Sequence, residues 1–146
     1  MWYVLFSLRT NIQLTDSVKT VRSKILIVED EIIIAIDLKI RLENLGYHIL
    51  GIALNGEDAI KKIREKNPDL VLMDIQLNGD MDGIKVAQQI RNQYNIPFIY
   101  ITGSHDNSLL DRAKQTNPIG FISKPFDETE IQNSIDIHLL SEKTEF

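Results

Sequence analysis

The chain has 146 residues, of which 43% are hydrophobic, so it is long enough to bury one core and form a single domain of ordinary size. It contains no cysteine, which excludes a disulfide framework and a thiolate metal site and fits a reducing compartment. The net charge of -5 excludes an overall electrostatic attraction to nucleic acid or anionic lipid, although it leaves room for a local basic patch.

Residues 1–23 show no clear hydrophobic periodicity, and we predict that they form an N-terminal extension with little order. The apolar stretch at residues 1–8 is far shorter than the roughly 20 residues that a membrane-spanning helix needs. It also lacks the basic start and the small-residue cleavage site of a signal peptide. We therefore expect no membrane association and a cytoplasmic location.

From Lys24 onward, short apolar runs alternate with helical patterns. The predicted strands are residues 25–28, 47–54, 70–73, 98–101 and 119–122, and the predicted helices are residues 31–45, 57–66, 84–94, 107–115 and 127–140. Five βα units in strict alternation predict a parallel sheet covered by helices on both faces, because each crossover is right-handed. We expect a three-layer, doubly wound α/β domain over residues 24–140, followed by a tail of residues 141–146.

Polar side chains follow four of the five predicted strands. Each parallel strand delivers its C-terminal residue to the same edge of the sheet, where ligands of such folds bind. The residues brought together there are Glu29, Asp30, Asp74, Thr102 and Lys124. Three carboxylates at close range repel one another unless they share a cation, and carboxylates without His or Cys favour Mg²⁺. The set predicts a phosphoryl-transfer site in which Asp74 is the acceptor.

Each of these residues alone has a more ordinary interpretation. An aspartate or threonine after a strand is usually a helix cap or a turn residue, and a single lysine is usually a solvated surface charge. It is improbable that every one of these strand ends carries the required residue type by chance. The functional prediction therefore rests on the combination of these residues and not on any one of them.

Five segments, residues 27–31, 72–75, 81–83, 101–103 and 123–126, resemble the motifs of two-component response regulator receiver domains. The resemblance implies a flavodoxin-like receiver fold with strand order 2-1-3-4-5, and it implies that Asp74 accepts a phosphoryl group from the phosphohistidine of a histidine kinase or phosphotransfer protein. It implies that Mg²⁺ is bound by Glu29, Asp30, Asp74 and the backbone carbonyl of Gln76. Thr102 and Lys124 would contact the phosphoryl oxygens, and the Lys124-Pro125 bond would be cis.

The sequence departs from the usual receiver pattern at several positions. Glu29 stands where aspartate is commoner, so we expect it to reach the metal through water while Asp30 binds directly. Residues 77–83 form a loop one residue longer than usual, and residues 117–120 replace an Ala-rich approach to the fifth strand. Phe121 occupies the aromatic switch position, where it cannot hydrogen-bond at its tip, so its inward and outward states would differ by packing alone.

The first helix carries two apolar stripes. Ile34, Leu38, Leu42 and Leu45 form one, which we expect to face the sheet, and Ile33, Ile36 and Ile40 form the other. We predict that the second stripe either docks a kinase helix or a second receiver as a homodimer, or is covered by the N-terminal extension.

The six residues of the predicted tail are too few for a DNA-binding module, so we expect a stand-alone receiver or a fragment of a longer chain. Its signal would leave by contact with a downstream protein target and not through nucleic acid. Gln76 and Ser104 flank the approach of water to the phosphoryl group and should tune its hydrolysis. We expect an aspartate switch that gains and loses its own phosphoryl group, not a turnover enzyme.

Three other kinds of protein share parts of this pattern. A haloacid-dehalogenase-like phosphatase would need a second carboxylate two positions after Asp74, where this chain has Gln76. A flavodoxin-like FMN protein would need a Gly- and hydroxyl-rich phosphate loop in place of the acidic residues 29–31. A degenerate receiver that binds partners without phosphorylation stays open, although such receivers tend to lose the residues that are here Asp74 or Lys124.

Overall fold

The structure, a computed structural model, describes residues 23–144. The rest of the predicted N-terminal extension and the end of the predicted tail lie outside the described residues. Strands and helices alternate in the order β1 (Lys24–Val28), α1 (Ile32–Asn44), β2 (His48–Ala53), α2 (Gly56–Lys66), β3 (Leu70–Asp74), α3 (Gly83–Gln89, continued by a π-helix at Ile90–Tyr94), β4 (Phe98–Thr102), α4 (Asn107–Lys114), β5 (Gly120–Ser123) and α5 (Glu128–Thr144).

The five strands pair in parallel in the order β2-β1-β3-β4-β5. The predicted doubly wound sheet and its 2-1-3-4-5 order are therefore confirmed. The reversal of strand order falls between β1 and β3, and the C-terminal ends of these two strands carry the acidic residues singled out from the sequence. In open α/β sheets this is the place where ligands bind.

The core consists of two layers, one on each face of the sheet. Successive strand residues point to opposite faces, so Ile25 and Ile27 pack against α1 and α5, whereas Leu26 and Val28 pack against the helices of the other face. All four side chains are almost wholly buried. Full burial of such a side chain stabilises the fold by about 1.5–3 kcal/mol, which explains why the strands read as continuous apolar runs.

Local residues explain where the helices begin and end. The side chains of Asn55, Asp82 and Asp106 accept hydrogen bonds from the first-turn amides of α2, α3 and α4, respectively. Gly46 has a φ of 100° and follows the end of α1, as its predicted capping role requires. Asn67, with a φ of 49°, ends α2.

Three boundaries differ from the sequence prediction. Ser23, assigned to the extension, is buried, and its carbonyl accepts a hydrogen bond from His48 at the start of β2. The last helix extends to Thr144, into the predicted tail, because residues 140–144 contain no glycine or proline to stop it. The helix predicted over residues 84–94 is an α-helix only as far as Gln89 and continues as a π-helix at Ile90–Tyr94. The amide of Asn95 accordingly donates to the carbonyl five residues earlier, that of Ile90, over 2.9 Å.

Gly83 fixes the loop that follows β3. Its amide donates to the carbonyl of Ile75 over 2.9 Å, so the first residue of α3 lies directly against the end of the strand. A Cβ atom at this position would lie 2.2 Å from the carbonyl oxygen of Asp74 and 2.9 Å from the Cα of Ile75. Only glycine therefore allows the loop to fold back this closely over the acidic strand end.

We predict that Gly83→Ala destabilises the protein by about 2 kcal/mol or more, because the added methyl group can be accommodated only by moving the backbone of β3. The midpoint of urea denaturation measures the effect. Gly51→Ala is the matched control, since a Cβ there would meet only the flexible end of Lys62, at 3.7 Å. Equal midpoints for the two variants would contradict the assigned role of Gly83.

Candidate functional site

An ion triad lies at the C-terminal edge of the sheet, formed by residues that follow or end three different strands. The ammonium group of Lys124 donates to Oε1 of Glu29 over 2.6 Å and to Oδ2 of Asp74 over 3.0 Å. Asp74 is the last residue of β3, Glu29 directly follows β1, and Lys124 directly follows β5. The structure therefore brings together a lysine and a glutamate that are 95 positions apart, as the topology predicted.

Glu29 is only 3% exposed, so its charge depends on its partners. Its Oε1 accepts from Lys124, and its Oε2 accepts from the backbone amide of Glu31 over 3.1 Å. Burial raises the pKa of the Glu29 carboxyl above its usual range, although these two hydrogen bonds oppose the shift. The proton is thus held more tightly in the folded state than in the unfolded chain, and stability falls as the pH rises from 4.5 through the raised pKa.

At Lys124, in contrast to Glu29, burial has a smaller effect on the pKa than the hydrogen bonds taken together. Its burial alone would lower the pKa of the ammonium group, but the hydrogen bonds to Glu29 and Asp74 outweigh burial and raise that pKa above 10.5. Its contribution to stability is fully present below pH 10.5 and is lost only as the pH rises through the raised pKa. The lysine is therefore a permanent cation at neutral pH.

Asp74 is 7% exposed and is held at both carboxylate oxygens. Oδ2 accepts from Lys124, and Oδ1 accepts from the backbone amide of Gln76 over 3.1 Å. These bonds fix the side chain at the wall of a cavity of about 470 Å³. The cavity is lined by Asp30, Glu31, Asp74, Gln76, Asn78, Gly103 and Lys124.

The donors in and beside this cavity fit a hard cation. Carboxylate oxygens of Glu29, Asp30 and Glu31 lie within 4.8 Å of one another, and Asp30 shares the cavity wall with Asp74. Oδ2 of Asp30 also accepts from the backbone amide of Asn78 over 2.8 Å, which ties the loop after β3 to the acidic corner. Oxygen ligands without His or Cys match Mg²⁺ or Ca²⁺ and not zinc.

Thr102 ends β4 and lies beside this edge of the sheet, buried to 8% exposure. Its Oγ1 accepts from the backbone amide of Ser104 over 3.0 Å, so the hydroxyl proton remains available for donation to an anion. The Oγ of Ser104 in turn accepts from the amide of Asp106, the N-cap of α4. A chain of hydrogen bonds thus connects the predicted phosphoryl-binding hydroxyl to the start of a helix.

The peptide bond between Lys124 and Pro125 is cis, as predicted. Pro125 and Phe126 border a mainly apolar cleft of about 420 Å³ between the β5–α5 loop and α1. The guanidinium of Arg41 on α1 lies 5.7 Å from the centre of the Phe126 ring. Lys124 also borders this cleft, so the cleft adjoins the acidic cavity.

The structure shows a contact around Phe121 that the sequence did not reveal. The partly buried ring of Phe121 lies 5.5 Å from the ring of Tyr100, which is fully buried on β4. The Tyr100 hydroxyl is hydrogen-bonded to Oγ1 of Thr116 over 2.6 Å, and Thr116 donates to the carbonyl of Ala113 on α4. Burial raises the pKa of Tyr100 to about 12. The sequence could not predict this hydrogen bond. Tyr100 lies in an apolar strand, and no local sequence pattern pairs a tyrosine with a threonine 16 positions away.

The two stripes of α1 separate as predicted, except at Ile34. Leu38 and Leu42 are buried against the sheet and Leu45 packs beside them partly buried, but Ile34 is only half-buried and lines the cleft beside Phe126. The residues of the second stripe are exposed, Ile33 at 81%, Ile36 at 46% and Ile40 at 52%. The interpretation that the N-terminal extension covers the second stripe falls outside the described residues. Within residues 23–144, no helix is long and apolar enough to cross a lipid bilayer.

Comparisons with known proteins point to one family. The family model of the response regulator receiver domain matches residues 25–136 of this chain. The transcriptional regulatory protein PdtaR of Mycobacterium tuberculosis is 32% identical over 123 residues, which cover 84% of this chain and 60% of PdtaR. The phyllosphere-induced regulator PhyR of Methylorubrum extorquens is 34% identical over 110 residues, which cover 75% of this chain and 40% of PhyR. The chain thus spans about half the length of these curated relatives.

A solved structure gives the same result for the fold. The signal receiver domain of a modulated diguanylate cyclase from Desulfovibrio desulfuricans superposes with a TM-score of 0.79 and 39% identity. The superposition covers 84% of this chain and 98% of that domain.

We predict that Lys124→Met lowers the free energy of unfolding by about 2 kcal/mol at neutral pH, because Glu29 and Asp74 then face each other without a counter-ion. The loss should shrink as the pH falls toward 4.5, the ordinary pKa of a glutamate, since protonating one carboxyl relieves the repulsion. Urea denaturation at several pH values measures this. Lys39→Met, which breaks only an exposed pair with Glu43, should cost at most about 0.5 kcal/mol at every pH. A loss at Lys124 that does not change with pH would contradict the assigned triad.

Proposed function

The chain belongs to the response regulator receiver family, and we propose that it is a phosphoacceptor switch of a two-component phosphorelay. In this proposal Asp74 receives a phosphoryl group from the phosphohistidine of a histidine kinase or phosphotransfer protein. The observation that supports it most is the ammonium of Lys124, held 3.0 Å from Asp74 beside a cavity that Asp30 also lines. A nucleophile, a fixed cation and an oxygen-lined metal position then lie side by side.

The transfer exchanges one bond for another. A carboxylate oxygen of Asp74 forms a bond to phosphorus while the bond between phosphorus and the donor's imidazole nitrogen breaks, and the nitrogen keeps the electron pair. The product is an acyl phosphate on Asp74. The hydrogen bonds from Lys124 and from the Gln76 amide orient the carboxylate before the donor arrives, so little reorganisation is needed.

Charge is the main obstacle to this reaction, because a phosphoryl group must enter a cavity that is already acidic. Lys124 supplies one fixed positive charge, and the Thr102 hydroxyl has a proton to donate to a phosphoryl oxygen. We propose that both contact the phosphoryl group once it is attached. Lys124 would then exchange its bond to the Asp74 carboxylate for one to the group that the aspartate carries.

Mg²⁺ is the cofactor we propose for this step, since its preferred oxygen ligands are present at the acidic corner. Asp30, Asp74 and the backbone carbonyl of Gln76 would hold it. Glu29 would contribute through water, because Lys124 and the Glu31 amide already engage both of its oxygens. When bound, the ion would neutralise charge on the phosphoryl oxygens.

Loss of the phosphoryl group to water would reset the switch. Gln76 is exposed at the mouth of the cavity, and Ser104 follows the strand end that carries Thr102. We propose that these two side chains set how easily water reaches the phosphorus. The chain would then gain and lose its own phosphoryl group and would not turn over a separate substrate, which is why we do not class it as an enzyme.

The conformational response to phosphorylation would begin at Thr102 and Phe121. If the Thr102 hydroxyl turns toward the phosphoryl group, it vacates space beside β5, and Phe121 can move inward over Tyr100. Because the Phe121 ring carries no hydroxyl, only packing separates its two positions. A downstream protein would read the resulting surface, and a second copy of this chain is one such reader.

We propose that the exposed stripe Ile33, Ile36 and Ile40 docks a helix of the phosphodonor. The donor's histidine must come within bonding distance of Asp74, so the protein that carries it has to cover the residues around the cavity. Helix α1 begins three residues after Glu29, and Ile33 lies in its first turn. The apolar cleft beside Phe126 extends the same surface toward Lys124.

The phosphoacceptor proposal predicts that incubation with acetyl phosphate and Mg²⁺ adds one phosphoryl group to the intact mass of the protein. The adduct should be absent in Asp74→Asn and in the presence of EDTA, because the first removes the nucleophile and the second removes the metal. Lys39→Met, remote from the site, should phosphorylate normally. A folded wild-type protein that gains no mass would overturn the proposal and favour a receiver that binds partners without phosphorylation.

The docking proposal predicts that Ile36→Asp slows transfer from the organism's histidine kinases or phosphotransfer proteins by tenfold or more, since it places a charge in an apolar contact. Phosphorylation by acetyl phosphate should be unchanged. Ile137→Asp on α5 is the matched control, because Ile137 is also exposed, at 62%, but lies on another helix. Equal kinase-dependent rates and an equal oligomeric state in the two variants would rule this surface out.

A further inference from the structure

A second, polar groove lies between α3 and α4, away from the acidic cavity. It has a volume of about 360 Å³, within the range of small-molecule sites. Its lining comprises the buried residues Ile84 and Thr116, the exposed arginines Arg91 and Arg112, and the side-chain amides of Gln88, Asn92 and Gln115. None of these residues lines the cavity at Asp74.

The charges of the two arginines are left unpaired by the described part of the chain. Among residues 23–139, neither Arg91 nor Arg112 makes a hydrogen bond or an ion pair, whereas Arg41 pairs with both Asp37 and Glu128. The helix positions three and four residues away from each of the two contain no carboxylate, so neither can form an ion pair along its own helix. Two uncompensated positive charges thus border one groove in a protein of net charge -5.

The chemistry of the lining identifies the kind of ligand. A guanidinium offers a planar fork of N–H donors that matches the oxygens of a phosphate, and such charge-assisted bonds are stronger than neutral ones. The amides of Gln88, Asn92 and Gln115 can both donate and accept, which suits the polar remainder of a phosphate ester. We propose that this groove binds a small phosphorylated ligand through Arg91 and Arg112.

The floor of the groove connects it to the switch side chain. Thr116 lines the groove, and its Oγ1 is hydrogen-bonded to the hydroxyl of Tyr100, whose ring lies 5.5 Å from that of Phe121. A ligand that moves Thr116 therefore acts on the surface against which Phe121 packs. Binding in the groove would bias the position of Phe121 without touching Asp74.

The site is tested by titrating ¹⁵N-labelled protein with pyrophosphate and, separately, with adenosine monophosphate, which distinguishes an inorganic phosphate from an ester. EDTA is present throughout, so that the acidic cavity cannot bind phosphate through a metal. We expect chemical-shift changes to centre on residues 88–92 and 112–116 for at least one probe. Arg91→Gln and Arg112→Gln should each weaken binding about tenfold, as expected for a lost charge-assisted hydrogen bond.

Arg64→Gln, an exposed arginine on α2, is the matched control and should change the affinity less than twofold. Equal weakening in all three variants would show general attraction of anions and overturn the proposal. Shifts centred on residues 29–31, 74–78 or 102–104, or no shifts with either probe, would also overturn it.

The connection from the groove to Phe121 has its own test. The amide signal of Phe121 should shift on ligand binding in the wild type and not in Tyr100→Phe. An equal shift in both proteins would exclude the route through Tyr100.

Discussion

The ammonium of Lys124 between the carboxylates of Glu29 and Asp74 is the interaction on which the site depends. All three groups are largely removed from water, and each would be costly to bury without the others. They come from the ends of β1, β3 and β5, so the triad forms only when these strands lie in one parallel sheet with their C-terminal ends level. The strand order places β1 beside β3, and β4 lies between β3 and β5, so Lys124 must reach across the end of β4.

The same arrangement leaves the site with surplus negative charge. Asp30 and Glu31 line the cavity in addition to Asp74, and Lys124 is the one cation among the residues that line it. A site built only for stability would balance these charges. Surplus carboxylate instead favours a bound divalent cation, and a cation together with Lys124 would offset the negative charge of an incoming phosphoryl group. The electrostatic imbalance therefore fits the proposed phosphoryl chemistry better than a structural role.

Much of this could be predicted from the sequence, because the informative features are local and repeat. Short apolar runs alternating with helical patterns gave the five βα units, and the polar residues at the strand ends gave the convergence at one edge. Contacts between residues with no local signal could not be predicted. Tyr100 appeared as one more apolar strand residue, and its bond to Thr116 depends on how the end of α4 packs over β4. The pairing of Glu29 with Lys124, which turns a predicted metal ligand toward the lysine, likewise depends on the three-dimensional arrangement.

We propose that Asp74 is the residue that carries the phosphoryl group. Reduction of the acetyl-phosphate-treated protein with borohydride, followed by peptide mapping in a mass spectrometer, can locate the modified residue, because borohydride converts an aspartyl phosphate to homoserine. We expect homoserine at position 74 and at no other aspartate. Homoserine at Asp30 or at another acidic residue of the cavity, with position 74 unchanged, would contradict it.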